Sequence, residues 1–585
     1  MVVILVAVVG IAGAQEQASP SPQPGQPTIQ VPPDAAGPPG LTLAGGAVSG
    51  TEDFRFRYYR VDDRLPDFED RRILDYAEAV ERLDLTGGNA RLSVNLRGDA
   101  VGLFLNRYIL DGTLYHERDL YQLGVTSPFP DALFVLEKIN VRSRSQHLVV
   151  DVGDTYAAYG RGLVLNVVKN TDIDVDTSIR GLKAQVTTGD WEVGALTGVT
   201  NPQQVALENP NVGIRPDLNH VITAARVARY GVGPLNVAAQ GALFQFRDSL
   251  VYAGEGLQAY NQPVNAASYG ASVEALGVAG LDWYAEGAGY HYADDAIAVD
   301  GGYAGYLAAT AYPGKATLLV ELRRNKNTEY INTFSALNSY EVSNGPTLEY
   351  DRVITEDSAA AVNSNDITGG RVRAEFNLSR TRDDGHMTTV IPYVSVAVFR
   401  DEDLGSLHFN RAPETILHPT AGLQFVGGET HLLLNTGFRL DQRDPGPDGL
   451  DLGADQMAHV DVSMDFPLAH GVSLAIDPTL MAFQWGNNPI QQTDFLDVSN
   501  ALAVKVGSPW AFILYTDFSD NPLIDSTGNI SEDVYGALEA QWKPGSATTL
   551  KLFYGAYRAG IRCAGGQCRQ LPGFNGAKFS LSTSF

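Results

Sequence analysis

The chain has 585 residues, 44% of them hydrophobic, and a formal net charge of −26. No internal run approaches the roughly 20 consecutive apolar residues a spanning helix needs, which excludes a helical-bundle membrane protein but not a barrel, whose strands alternate apolar and polar residues. The acidic balance, with no basic patch, excludes a nucleic-acid partner, and two cysteines exclude both a disulfide framework and a four-cysteine zinc site.

Val2 to Ile11 is unbroken apolar sequence, and Ala12-Gly13-Ala14 follows with the small residues that signal peptidase reads. Residues 1–14 therefore read as an export signal, although no Lys or Arg precedes the apolar run. Residues 15–40 carry Pro20, Pro22, Pro24, Pro27, Pro32, Pro33, Pro38 and Pro39, a density that blocks helix and ladder alike. They read as a disordered periplasmic tail ahead of a single domain over 41–585.

From about residue 53 the chain is a succession of period-two segments. Phe54, Phe56 and Tyr58 alternate with Arg55, Arg57 and Tyr59; Leu92, Val94 and Leu96 follow Arg91 and lead to Arg97. Val372, Ala374 and Phe376 alternate with Arg371, Arg373 and Glu375, Val460 and Val462 flank Asp461, and Leu538 and Ala540 flank Glu539. Tight turns such as Thr188-Gly189-Asp190 and Gly427-Gly428-Glu429 alternate with longer polar stretches near 200–219, 248–265, 327–369, 441–455, 519–531 and 559–574. Such alternation is what a transmembrane barrel requires, with tight turns on one rim and long loops on the other. The expected fold is all-β: one large antiparallel transmembrane barrel of about 24 strands (roughly 20–28) with no plug domain, in a bacterial outer membrane. The charged faces then line the lumen, with Arg55, Arg57, Arg91, Arg97, Arg371, Arg373, Glu375, Asp461 and Glu539 as the candidate wall.

Asp151 to Val168 breaks the alternation, with Gly153, Gly160 and Gly162 permitting a bend. Two readings stand here: Tyr156, Tyr159 and Arg161 turn inward as a constriction, or, more plainly, a glycine kink carries interfacial tyrosines. Together with Tyr58-Tyr59-Arg60-Val61-Asp62-Asp63 and Gly345-Pro346-Thr347-Leu348-Glu349, this stretch resembles an uncharacterised family of outer-membrane proteins, chiefly from the Bacteroidetes. The resemblance implies a barrel exported to the outer membrane and carries over no catalytic residue.

Asp444, Asp448, Asp451 and Asp455 share one acidic stretch, for which a solvated external loop is a plainer reading than a calcium site. The ten histidines form no zinc-hydrolase motif, and neither a nucleophile elbow nor a phosphate loop is present, so no enzyme, cofactor or metal is expected. Cys563 and Cys568, five positions apart around Gly565-Gly566, pair as a disulfide in an external loop. The chain ends on an amphipathic strand with Phe579, Leu581 and Phe585 on one side, resembling the terminal strand that the barrel-assembly machinery recognises. The expected surroundings are outer-membrane lipid, lipopolysaccharide and that machinery, with an unknown surface or periplasmic protein as a further partner. Two functions fit this wall: a porin-like channel with a charged lumen, or a structural, partner-binding barrel whose loops fill it.

Overall fold

The computed structural model describes residues 41–43, 46–60, 71–110, 113–116, 132–170, 175–201, 220–246, 249–252, 257–260, 264–293, 301–328, 366–381, 387–402, 413–445, 453–469, 471–484, 494–520, 534–557, 560–564, 567–571 and 574–585. Twenty-four antiparallel strands close into a barrel. In chain order the first eight are β1 (Gly46–Arg60), β2 (Arg71–Gly88), β3 (Leu92–Leu110), β4 (Ala132–Arg144), β5 (Leu148–Thr155), β6 (Ser178–Thr188), β7 (Trp191–Asn201) and β8 (Val221–Val232). The next eight are β9 (Leu235–Phe246), β10 (Val264–Val278), β11 (Leu281–Tyr292), β12 (Gly301–Ala311), β13 (Ala316–Lys326), β14 (Asp366–Phe376), β15 (Met387–Asp401) and β16 (Glu414–Gly427). The last are β17 (Thr430–Arg443), β18 (Ala454–Ala469), β19 (Val472–Gln484), β20 (Asp494–Val506), β21 (Trp510–Ser519), β22 (Val534–Trp542), β23 (Thr548–Tyr557) and β24 (Phe574–Ser584).

Each strand pairs with its neighbour in sequence, and β24 returns to β1 with Phe579 opposite Phe56 and Leu581 opposite Phe54. Phe585 extends the seam: its amide donates to the Gly50 carbonyl at 2.9 Å and its carbonyl accepts from the Gly50 amide at 2.8 Å. Closure leaves no strand edge to satisfy in lipid, which is the condition for spanning a membrane with strands.

The two sides of the wall differ as strand alternation requires. Leu243 (61% exposed), Leu538 (62%) and Tyr554 (71%) point away from the lumen. Between them and the tight-turn rim stands a girdle of Trp191, Tyr230, Tyr312, Trp510 and Trp542, with the Trp510 and Trp542 rings stacked 5.7 Å apart on paired strands. An apolar belt bounded by aromatic residues is the surface that a bilayer covers. Tight connections, such as residues 189–190, 233–234 and 428–429, lie on the same rim as the start of β1 and the end of β24; the strand ends that the long ones join, such as Lys326 and Asp366, lie on the other. The barrel therefore sits in an outer membrane.

The lumen side carries charge in register. Arg57 lies directly opposite Glu78, Arg82 opposite Asp99, Arg97 opposite Asp84, Arg142 opposite Asp151 and Arg371 opposite Glu321, and every one of these pairs is a salt bridge. Opposite charges facing one another across strands stabilise the pairing and fix its register.

Candidate functional site

The connection between β5 and β6 leaves the wall and folds into the lumen. Ala157–Tyr159 pairs with Leu165–Val167 in a small sheet of its own, and the Gly162 amide donates to the Tyr159 carbonyl at 3.0 Å to close the turn. Gly160 holds φ +61°, and a Cβ there would lie 2.5 Å from the Glu286 carboxylate, so only glycine fits both the backbone and the space.

Three consecutive apolar residues then dock on the barrel. Val164 and Leu165 are 0% exposed and Leu163 is 2% exposed. The wall that receives them is built from small residues: Ala224, Ala242, Ala266, Ala288 and Ala304, on β8 to β12, belong to the same buried cluster. Gly270 leaves room for Val164, since an added Cβ would lie 2.9 Å from a Val164 methyl. Polar groups of the segment meet specific partners. Ser268 Oγ donates to the Val164 carbonyl at 2.7 Å, and the Tyr290 hydroxyl donates to the Leu163 carbonyl at 2.5 Å. The Arg161 amide donates to Glu286 at 2.6 Å, and that buried carboxylate also accepts from the Tyr284 hydroxyl at 2.6 Å and from Gln240 at 2.8 Å. The Arg161 guanidinium lies 5.0 Å above the Tyr284 ring.

At its base the segment is anchored by Asp176, which pairs with Arg97, with Lys138 at 3.3 Å and with Lys169 at 3.6 Å, and accepts from the Tyr156 hydroxyl. Burial alone would raise the Asp176 carboxyl, but the Lys138 and Arg97 charges and the Tyr156 hydrogen bond pull it down to about 2. Burial and the same carboxylate hold the Tyr156 hydroxyl well above its usual range, so it remains a donor.

A group whose folded pKa is depressed stabilises the structure above its unfolded pKa and loses that contribution as pH falls through the folded value. With an ordinary value of 3.8 and a folded value of about 2, the anchor is at full strength above pH 4 and fails between about pH 4 and pH 2. Asp176→Asn should release the base of the segment at neutral pH, because breaking a buried ion pair from one side costs about 3–5 kcal/mol. Limited proteolysis within residues 157–177 checks this: protection should hold at pH 5 in the parent and be lost in the variant.

The sequence-derived residues fall as follows. Tyr159 is buried in the apolar cluster, Tyr156 is at the anchor, and Arg161 is at the tip beside Glu286. The glycines of this stretch do adopt left-handed backbone, with Gly153 at φ +103° and Gly162 at φ +100°, and the tyrosines sit inside the barrel rather than at the membrane interface. Arg55 and Arg57 are on the inner side of β1, and Glu539 is on that of β22. Arg97, Arg371 and Arg373 are each neutralised by a carboxylate, Arg373 by Glu375 at 2.8 Å, so they form no free basic cluster. Asp461 holds His459 at 2.9 Å, and His459 in turn meets His418 at 3.1 Å. Arg91 is a correction: it is exposed in the tight turn 89–91, where its amide is held by the Asn89 side chain at 2.8 Å, because strand alternation ends before it.

Of the acidic stretch, Asp444 is paired with Arg400 and Asp455 with Arg443, while Asp448 and Asp451 lie outside the described residues. Among the described residues no group of three or more metal-binding side chains occurs. The side chains of Cys563 and Cys568 also lie outside them, although the backbone register sets the two directly opposite one another in a short hairpin. Residues 1–40, 61–63 and 345–349 are likewise outside.

The second feature of the lumen is a cavity of about 440 Å³ on the wall formed by β19 to β24 and β1, away from the docked segment. Its lining brings together Arg55, Lys551 and Lys578 with Asp477, Asp517 and Glu539. No family model matches the chain, and no curated protein matches it. Several solved structures are similar to it at low identity. The siderophore receptor PirA from Pseudomonas aeruginosa is 10% identical over 92% of this chain and 80% of its own, with a TM-score of 0.43. The P pilus usher PapC translocation pore is 7% identical over 92% of this chain and 99% of its own, with a TM-score of 0.40. OpdK from Pseudomonas aeruginosa, solved with vanillate, is 12% identical over 72% of this chain and 98% of its own, with a TM-score of 0.33. Likenesses this distant carry no argument about solute or partner, and the barrel is read from its own strands.

Proposed function

We propose that this chain is an outer-membrane transport channel for small hydrophilic solutes, narrowed by the inward segment 156–177. The observation that carries this reading is the division of the lumen into a dry, alanine-lined wall that holds the segment and a charged wall that lines a cavity of about 440 Å³. Barrels of 16–18 strands already leave an aqueous channel; at a strand spacing of about 4.8 Å and a tilt of about 40°, 24 strands enclose a space on the order of 45 Å across. Among the described residues one segment leaves the wall, and lying along β8 to β12 it narrows such a space without filling it. The competing reading is a partner-binding barrel with a filled lumen, which the register-matched ion pairs of the wall would suit equally. Liposome swelling in isotonic small sugars separates the two: vesicles carrying the folded protein should swell, and vesicles that stay impermeant would favour the filled barrel.

We assign it no catalytic residue, cofactor, metal or nucleic acid. Export by residues 1–14, a disordered tail over 15–40, kinship with the Bacteroidetes outer-membrane family, and contact with lipopolysaccharide and the assembly machinery belong to the same proposal, as does a surface or periplasmic protein partner. So does a Cys563–Cys568 disulfide. Residues directly opposite in an antiparallel pair have α-carbons about 4.5–5.5 Å apart, inside the range a disulfide spans, and the Cys563–Cys568 register meets that condition. Mass spectrometry of the unreduced protein should find the crosslink; two alkylatable thiols in freshly isolated membranes would refute it.

A further inference from the structure

Resting on the channel reading, we infer that the lumen cavity selects zwitterionic solutes of the amino-acid and short-peptide class. The cavity's charges are segregated by strand. Asp477, Asp517 and Glu539 lie on β19, β21 and β22, whereas Lys551, Lys578 and Arg55 lie on β23, β24 and β1. Strand register fixes this polarity. Lys551 and Arg55 both lie opposite Ser580, in one row across the seam. Glu539 and Lys578 both lie opposite Phe553, in the next row, two strand spacings or about 10 Å apart. One side of the cavity is therefore a carboxylate wall and the other an ammonium and guanidinium wall, facing the same space.

A solute with one charge meets attraction from one wall and repulsion from the other. A neutral solute can hydrogen-bond to either wall but forms no ion pair with it, and must displace the water that solvates both walls. A zwitterion satisfies both, with its ammonium toward Glu539 and Asp477 and its carboxylate toward Lys551 and Arg55, through hydrogen bonds of the stronger, charge-assisted kind. Rings floor the basic side: Lys578 lies 4.2 Å from the Phe574 centroid and 4.4 Å from that of Tyr557, which holds the ammonium in place by cation–π attraction. The volume is within the range of small-molecule sites. The ladder pairs Arg82–Asp99 and Arg97–Asp84 differ, since there opposite signs alternate from strand to strand and no wall keeps a sign.

The test uses the full chain in liposomes and compares swelling in glycylglycine, a zwitterion, with swelling in N-acetylglycinamide, a neutral solute of nearly the same size. The expected result is several-fold faster entry of glycylglycine. Lys551→Gln, at an exposed lumen position, and Asp477→Asn should each bring the ratio toward one while entry of the neutral solute persists. Exchanging the two signs together, Lys551→Glu with Asp477→Lys, should restore part of the ratio, which a merely structural role for either residue would not do. Equal rates for both solutes in the parent protein would overturn the inference and leave the channel reading standing. Failure of both solutes to enter would remove the channel reading and this inference with it.

Discussion

Val164→Asp combined with Leu165→Asp should enlarge the conducting path several-fold while leaving the barrel folded. Both side chains are wholly buried against β8 to β12, where full burial of such a residue contributes about 1.5–3 kcal/mol. Placing carboxylates among Ala242, Ala266 and Ala288 gives them no partner, and an unpaired buried charge is far more costly than the lost apolar contact. The segment has an alternative that a wall strand lacks: it can swing into the water of the lumen without breaking a single barrel ladder, because its strands pair only with each other. The expected record is larger single-channel steps and new protease sites within residues 157–167, with unchanged heat-modifiability. Unaltered steps would mean that the segment does not limit the path.

Phe579→Asp with Leu581→Asp should abolish assembly rather than alter transport. Both residues face outward on the closing strand; Phe579 lies opposite Phe56 and Leu552, with its ring 6.2 Å from that of Phe54. A basic residue on the lipid face at mid-membrane costs about 2–4 kcal/mol and an acid somewhat less, and here two acids fall on the one seam where closure is made between distant ends of the chain. Removing Phe585 takes away two backbone hydrogen bonds to Gly50 and should weaken closure in the same direction, by less. Outer-membrane fractions should contain little or no heat-modifiable protein of the double variant. A parent-like yield would contradict the role given to this seam.

The barrel was legible in the sequence because its physics repeats every two residues. Arg371, Arg373 and Glu375 fall on one side of β14 and Val372 and Phe376 on the other by alternation alone, and the length of the connectors then separates the two rims. What lay beyond reach was register. Nothing in the order of residues says that Arg57 will stand opposite Glu78 or Arg371 opposite Glu321, so which charges of the wall are paired could not be read from it. Arg91 was misplaced by carrying the alternation back past the start of β3 into the turn before it.

The inward segment was only half legible. Its glycines and broken alternation stood out, but Leu163-Val164-Leu165 resembles any strand core. The signal for its docking site lay elsewhere, in strands apolar on both sides: β9 carries Leu243 on the lipid face and Ala242 and Phe244 on the lumen face, and β10 carries Tyr269 against Ala266. A lumen face without charge buries best under an apolar cover, and the chain supplies it from the connection between β5 and β6.

The central claim is an open lumen narrowed by its own chain. Single-channel recording of the purified, folded parent protein in planar bilayers tests it most directly. Discrete conductance steps should appear, smaller than those of the Val164→Asp, Leu165→Asp variant recorded in the same salt. A folded parent protein that inserts and passes no current would contradict the account.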